Sequence, residues 1–177
     1  MQANCVTVYS LSSATNQQVG SFRIRQATPA DTPAIVAVVN AAFAIETFLE
    51  GDRTDQFQIV EMMRKGNFLI AEDSSGRLAA SVYVELRGET GYFGMLAVNP
   101  SCQRCGLGRA MVKAAEECSI RNGCKRMDIT VLSLRPELPV FCRKLGYLES
   151  GTEEFHPSRP LKGGAQCHCI VMSKALT

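Results

Sequence analysis

No stretch of this 177-residue chain gathers lysine and arginine into a run, and its 19 basic residues nearly balance its 17 acidic ones, for a net charge of +2. Neither nucleic acid nor an anionic membrane is implied as a partner. No apolar run approaches the length of about 18 residues that a transmembrane helix needs. Residues 1–20 lack the charged start and continuous apolar segment of a secretory signal, so a cytoplasmic location is expected. No Ser-His-Asp or paired-acid arrangement is visible, which disfavours hydrolysis. A Walker-type Gly-Lys-Ser/Thr is missing as well.

What is present is globular. Hydrophobic residues make up 46% and charged residues 20% of the chain, and this length suits one domain with a real core. The 8 cysteines include Cys102 and Cys105, spaced C-x-x-C, and Cys167 and Cys169 around His168, with His156 nearby. A zinc-stabilised interaction domain built on these four cysteines is one reading. Against it, a second C-x-x-C is missing, and C-x-C on a strand points to alternating faces. No metal is expected. A core this size needs no disulfide framework, so reduced thiols are expected.

The chain is organised around Gly91 to Gly123, GYFGMLAVNPSCQRCGLGRAMVKAAEECSIRNG. Tyr92 to Val98 is an apolar run short enough for a buried strand, stopped by Asn99-Pro100-Ser101. Leu107, Met111, Ala114, Ala115 and Cys118 then recur at helical spacing, with Asn122-Gly123 as the stop. A strand, a glycine-bearing loop and a helix start make an anion site, because the first N–H groups of a helix have no internal partner and the macrodipole is positive there. Gly106 and Gly108 let a phosphate approach the backbone, and Arg104 and Arg109 add charge at the rim. Met111 stands where a dinucleotide fingerprint wants its third glycine, which argues against that fold.

The rest reads as alternating elements. Residues 1–20 carry one β-like run, Val6 to Tyr9, and are expected to be a tail ahead of a domain over 21–177. Phe22 to Arg25 alternates as a half-buried strand does. Thr28-Pro29-Ala30-Asp31 opens a helix with Ile35, Val38, Val39, Ala42 and Phe43 on one face. Phe57, Val60 and Met63 suggest a second short helix ended by Gly66. Phe68 to Ala71 and Leu78 to Leu86 form a meander that feeds the central strand. Met127 to Leu132 follows a crossover, so it is expected parallel to its predecessor. Pro136 opens a helix stopped by Gly146, and Tyr147 to Ser150 and Cys167 to Met172 are the last strands. His156 to Gly164 forms a basic loop between them. The fold class is a single α/β domain with a mixed sheet.

Gln103-Arg104-Cys105-Gly106-Leu107-Gly108 after a Leu-Ala-Val strand resembles the coenzyme motif of the GNAT superfamily of acyl-CoA-dependent N-acyltransferases. Phe141-Cys142-Arg143-Lys144-Leu145-Gly146-Tyr147 is similar to the family's second motif, and the resemblance runs from Phe22 to the end. It implies a mostly antiparallel sheet flanked by helices, with splayed central strands. It also implies acetyl-CoA as co-substrate, with pyrophosphate on Gln103, Arg104, Cys105, Gly106, Leu107, Gly108 and Arg109. Pantetheine would run beside Leu96, Ala97 and Val98, and the Leu96 N–H would meet the acyl carbonyl. The implied activity is direct acetyl transfer to a primary amine of a small molecule or peptide. A homodimer is common in the superfamily, but no residue here specifies an interface.

The proton chemistry departs from the pattern. Cys142 stands where many members carry a tyrosine acid, and a cysteine is too short to reach the same point. The enzyme needs no protein acid, or water relays the proton, or the domain only binds coenzyme. That last alternative is an acyl-CoA sensor of weak or absent activity. No carboxylate sits early on the central strand, which leaves Glu85 as the nearest candidate for a water-relayed base. Phe43, Glu46, Phe48 and Arg53 fall where the acceptor site is expected, and their mixed charges leave polyamine, amino acid and peptide N-terminus open.

Overall fold

The computed structural model describes residues 16–156 and 160–177. Strand β1 (Asn16–Val19) pairs with β2 (Phe22–Gln26). Helices α1 (Thr32–Phe43) and α2 (Gln56–Lys65) follow. Strands β3 (Asn67–Glu72), β4 (Leu78–Arg87) and β5 (Thr90–Val98) continue the antiparallel meander from β2. Helix α3 (Leu107–Arg121) crosses over to β6 (Arg126–Leu132), which lies parallel to β5 as its crossover connection predicts. Helix α4 (Glu137–Lys144) leads to β7 (Leu148–Glu154) and β8 (His168–Ala175), both antiparallel to their neighbours. The sheet order is β1-β2-β3-β4-β5-β6-β8-β7.

Side-chain alternation along the central strands feeds two cores. Ile24, Leu69, Val82 and Phe93 pack with Met111 and Ala115 of α3, and with Cys142 of α4 and the adjoining Tyr147. Phe68, Ile70, Tyr83 and Ala97 pack on the other face against Ile35 and Val39 of α1 and Ile59 of α2. Both faces of β3 and β4 are therefore covered, which is why they read as nearly continuous apolar runs. The outermost strand β7 is exposed along its whole length.

Three expectations change. Asn16–Val19, within the stretch read as a tail, form an edge strand in register with Phe22 to Arg25; the Val6 to Tyr9 run lies outside the described residues. The first helix does not open at Pro29. A 3₁₀ turn spans Pro29–Asp31 and the α-helix begins at Thr32, because Pro33 has no N–H to give to the Pro29 carbonyl four residues back. In α2 the buried face is Ile59, with Met62 and Met63 beside it, while Phe57 and Val60 are 74% and 39% exposed. Two apolar stripes overlap in that helix, and the sheet selects one.

Arg25 fastens this end of the fold. Its guanidinium donates to both carboxylate oxygens of Asp31, at 2.9 and 2.8 Å, and also to Glu72. Asp31 in turn accepts from the Thr28 N–H at 2.7 Å, closing the helix entry. Arg25 holds both carboxyls below their ordinary range. Groups with depressed folded-state pKa values contribute stability that is fully present above the unfolded carboxylate pKa of about 4 and is lost as the pH falls from there through the lower folded-state value. Arg25→Met should therefore flatten the decline of melting temperature between roughly pH 5 and pH 2. A decline as steep as that of the unaltered protein would show that the cluster is not the source.

Candidate functional site

The central strands part company. The β5–β6 ladder runs from Thr90 opposite Arg126 to Phe93 opposite Ile129 and stops there. Beyond it β5 stays with β4 as far as Val98, and β6 stays with β8 as far as Leu132. The separation coincides with a bulge, where the register against β4 shifts between Ser81 and Tyr83 and Met95 takes a φ of 49°. One extra residue reverses the alternation. Phe93 and Leu96 both pack on the α3 face although they are three apart, while Tyr92, Met95 and Ala97 pack on the α1 face.

The bulge decides where the backbone points. The Asn99 N–H donates to the Ala79 carbonyl of the neighbouring strand at 2.8 Å. Alternation back from Asn99 turns the Ala97 N–H the same way and the Val98 and Leu96 N–H groups toward the gap. On that open edge the Val98 carbonyl accepts from Gln103 Nε2 at 3.2 Å. A strand edge with free donors, between two diverging neighbours, is a slot for an extended polar chain.

The loop at the end of β5 is built as the motif requires. Asn99 Oδ1 accepts from the Ser101 N–H at 3.1 Å and its hydroxyl at 2.9 Å, fixing a 3₁₀ turn over Pro100–Cys102. Arg104 and Gly106 then take positive φ values of 64° and 83°. Leu107, 2% exposed, anchors the start of α3 in the core, while Gln103, Arg104, Cys105, Gly106 and Arg109 face solvent. No side chain caps α3 and no acid stands in its first turn. Its first N–H groups thus face outward with the positive end of the helix dipole behind them. At Gly106 a Cβ would meet open space, so it is the backbone angle that asks for glycine. At Gly108 a Cβ would lie 3.7 Å from Val98 Cγ2, an ordinary contact.

The residues considered for proton transfer fare differently. Cys142 is 1% exposed inside the α3–α4 core, and burial pushes its thiol up to about 11. It is a small core side chain rather than an acid in the slot. Glu85 accepts from Arg87 Nε and Nη2, both at 3.0 Å, and from the Tyr83 hydroxyl at 3.2 Å. Arg87 foremost keeps Glu85 below its usual range, so it is charged but already engaged. The residue missed from the sequence is Tyr92. Its phenol stands where the strands part, with the Arg87 guanidinium 4.2 Å from its ring centre. A Cβ on Gly94 would fall 2.9 Å from that hydroxyl, so glycine leaves the phenol its place.

On the α1 side the residues expected at an acceptor site are drawn together by the end of α1 and a loop over 44–55. Glu46 is buried, accepts from Arg135 Nη1 at 2.8 Å and lies 3.6 Å from Arg53 Nε. The Arg53 guanidinium carbon is 5.4 Å from the centre of the Phe43 ring. The Phe48 carbonyl accepts from the Lys162 N–H at 2.9 Å, and Leu49 bridges to Leu161. The loop is therefore tied to the β6–α4 connection by Arg135 and to the β7–β8 connection by backbone. Arg135, 89 positions from Glu46, carried no local signal in the sequence. Among the described residues no three His, Cys, Asp or Glu side chains gather as a metal site would need. Cys102, Cys105, Cys167 and Cys169 are accordingly not assembled into one.

Comparison with known proteins agrees with this geometry. The family model described as the acetyltransferase (GNAT) family matches residues 33–147. No curated protein matches the chain. Among solved structures, the ribosomal-protein-S18-alanine N-acetyltransferase from Escherichia coli superposes with a TM-score of 0.71 at 16% identity, covering 88% of this chain and 94% of that one. The ribosomal-protein-alanine N-acetyltransferase from Brucella melitensis gives 0.69 at 19% identity, covering 86% and 99%. A GNAT superfamily phosphinothricin acetyltransferase from Sinorhizobium meliloti, solved with AcCoA, gives 0.68 at 16% identity, covering 88% and 89%.

The Glu46 cluster is the loop's main tie. Burial raises the Glu46 carboxyl, and the two arginines offset that cost only in part. Removing the carboxylate leaves Arg53 and Arg135 facing each other without it. Glu46→Ala should lower unfolding stability by about 2 kcal/mol or more in denaturant titration. A change below about 0.5 kcal/mol would show that the loop is held by its backbone contacts alone.

Proposed function

Because the chain belongs to the GNAT acetyltransferase family, whose model matches residues 33–147, we propose that it moves an acetyl group from acetyl-CoA to a primary amine of a small molecule or peptide by direct transfer. The observation that carries this reading is the coincidence of two features. An uncapped α3 N-terminus stands beside a strand edge freed by the β5–β6 separation. One suits a pyrophosphate, the other the amide-bearing pantetheine arm that ends in the thioester.

The residues Gln103 to Arg109 hold the pyrophosphate through backbone N–H groups, with Arg104 and Arg109 adding charge. Pantetheine lies along Val98 and takes over the carbonyl that accepts from Gln103 Nε2. The Leu96 N–H faces the thioester oxygen, where negative charge grows as the amine attacks, so its hydrogen bond strengthens in the transition state. The amine enters from the α1 face, beneath the loop carrying Phe43, Glu46, Phe48 and Arg53. As the carbon–sulfur bond breaks, the thiolate takes a proton and the new amide nitrogen gives one up.

Cys142 has no part in that exchange, since it is sealed in the core. Tyr92 is the donor placed at the parted strands, and burial keeps its phenol protonated at neutral pH. The Glu85–Arg87 pair holds the ring from below. The rival reading, an acyl-CoA sensor, is favoured by the same burial of Cys142, which leaves the usual tyrosine position without an acid.

Calorimetric titration with acetyl-CoA, followed by thiol release against a panel of small amines and peptides with free N-termini, separates the two. Binding with release is expected. Binding without release from any amine would favour the sensor, and no binding would overturn the coenzyme site. Gly106→Val should weaken acetyl-CoA binding by tenfold or more, and should cost about 1 kcal/mol of stability through its positive φ. Unchanged affinity would refute the cradle. Tyr92→Phe should cut kcat about a hundredfold with acetyl-CoA affinity intact; an unchanged kcat would remove the phenol from the proton path.

A further inference from the structure

The coenzyme loop contains two thiols that the acetyl-transfer reading does not use. Cys102 and Cys105 are the first and fourth residues of a tight turn over Gln103 and Arg104. Gln103 is extended, with φ −73° and ψ 163°, and Arg104 is left-handed, with φ 64°, the order of backbone regions found in a β-turn of the type II kind. Such a turn brings its end Cα atoms within about 7 Å, overlapping the range of roughly 4.4–6.8 Å that a disulfide spans. The Cys105 thiol is already folded back across the turn and donates to the Cys102 carbonyl at 2.9 Å. Cys102 is half-buried, with its sulfur 3.6 Å from the Ser101 hydroxyl.

Access singles out the same pair. Among the described cysteines Cys105 is the exposed one, while Cys118, Cys124, Cys142 and Cys169 are buried. An oxidant in solution therefore meets Cys105 first, and Cys102 is the thiol best placed to resolve the product. No third metal-binding side chain joins them, so the pair is not half of a metal site among the described residues.

We propose that Cys102 and Cys105 form a reversible disulfide that switches off coenzyme binding. A hydroperoxide oxidises the Cys105 thiol to a sulfenic acid and is reduced to water or an alcohol. The Cys102 sulfur then attacks the Cys105 sulfur, a second water leaves, and the S–S bond forms. Two electrons pass to the peroxide, and a dithiol returns them. The consequence follows from position: Cys105 is bonded to Gly106, the residue that precedes the free N–H groups of α3. Drawing the Cys105 sulfur onto Cys102 pulls the Cys105–Gly106 backbone toward the turn, so the N–H groups at the start of α3 leave the place a pyrophosphate needs. By linkage, bound coenzyme must oppose bridge formation to the same degree. The inference rests on the coenzyme reading above for its effect, though not for the bridge itself.

The test uses the full chain with hydrogen peroxide as oxidant and acetyl-CoA as probe. Peptide mass mapping after mild peroxide should find the peptides of Cys102 and Cys105 joined with the loss of two hydrogens. Calorimetry should show acetyl-CoA affinity at least tenfold weaker in the oxidised protein and restored by dithiothreitol. Saturating acetyl-CoA should shift the dithiol–disulfide equilibrium, poised with a dithiothreitol redox buffer, toward the dithiol by a similar factor. Cys102→Ser should bind acetyl-CoA as the unaltered protein does and yield no bridge. Failure to find the bridge while Cys105 is otherwise oxidised, or a bridged protein of full affinity, would overturn the proposal. If the reduced protein itself fails to bind acetyl-CoA, the coenzyme reading falls and the switch with it, while mass mapping still decides whether the bridge forms.

Discussion

The parting of β5 from β6 after Phe93 and Ile129 is the constraint on which the rest of the site depends. A parallel ladder continued to Val98 would occupy the backbone edge of β5 and leave a sealed sheet. The bulge at Met95 prevents this on one side by shifting register against β4, and the pairing of β6 with β8 as far as Leu132 holds it on the other. The backbone N–H groups so released would be a liability in a core, because unpaired donors buried from water are costly. Here they open onto a slot that a ligand can fill. A local irregularity of one residue thus opens an otherwise sealed sheet along the edge of β5.

The remaining elements hold that opening in place. Leu107 and Met111 bury α3 against the sheet, so the free N–H groups of the helix start are fixed relative to the strand edge beside them. The 3₁₀ turn over Pro100–Cys102, locked by Asn99, sets the distance between the two. On the opposite face, Ile35, Val39 and Ile59 seat α1 and α2, and the loop after α1 is tied across to Arg135 and Leu161. The start of α3 and the loop after α1 therefore lie on opposite faces of one sheet, with the diverging strands between them. Tyr92, Thr130 and Gly94 are grouped at that point.

Much of this was legible along the chain. The glycine loop between β5 and α3 was readable because its signal is local: a strand, a Pro stop, two glycines and a helix stripe within about thirty positions. The second motif around Leu145-Gly146-Tyr147 was readable for the same reason. The face of α2 was not, since Phe57 and Val60 compete with Ile59 and Met63 for the core at helical spacing, and only contact with the sheet breaks the tie. Arg135 as the partner of Glu46 was equally hidden, because an ion pair across 89 positions leaves no periodic trace. The burial of Cys142 could not be decided from the sequence, because the side chains that cover it come from other elements.

What the sequence by itself determined was the element order from β2 onward, the meander into a crossover, and the place of the glycine loop between a strand and a helix, because hydrophobic period and turn chemistry act over a few residues. What only the tertiary structure decided was where β5 and β6 separate, which thiols are buried and which exposed, and how Tyr92 comes to lie at the opening. Those outcomes depend on strands, helices and loops brought together from distant parts of the chain, and a side chain's environment is set by neighbours that its own segment does not specify.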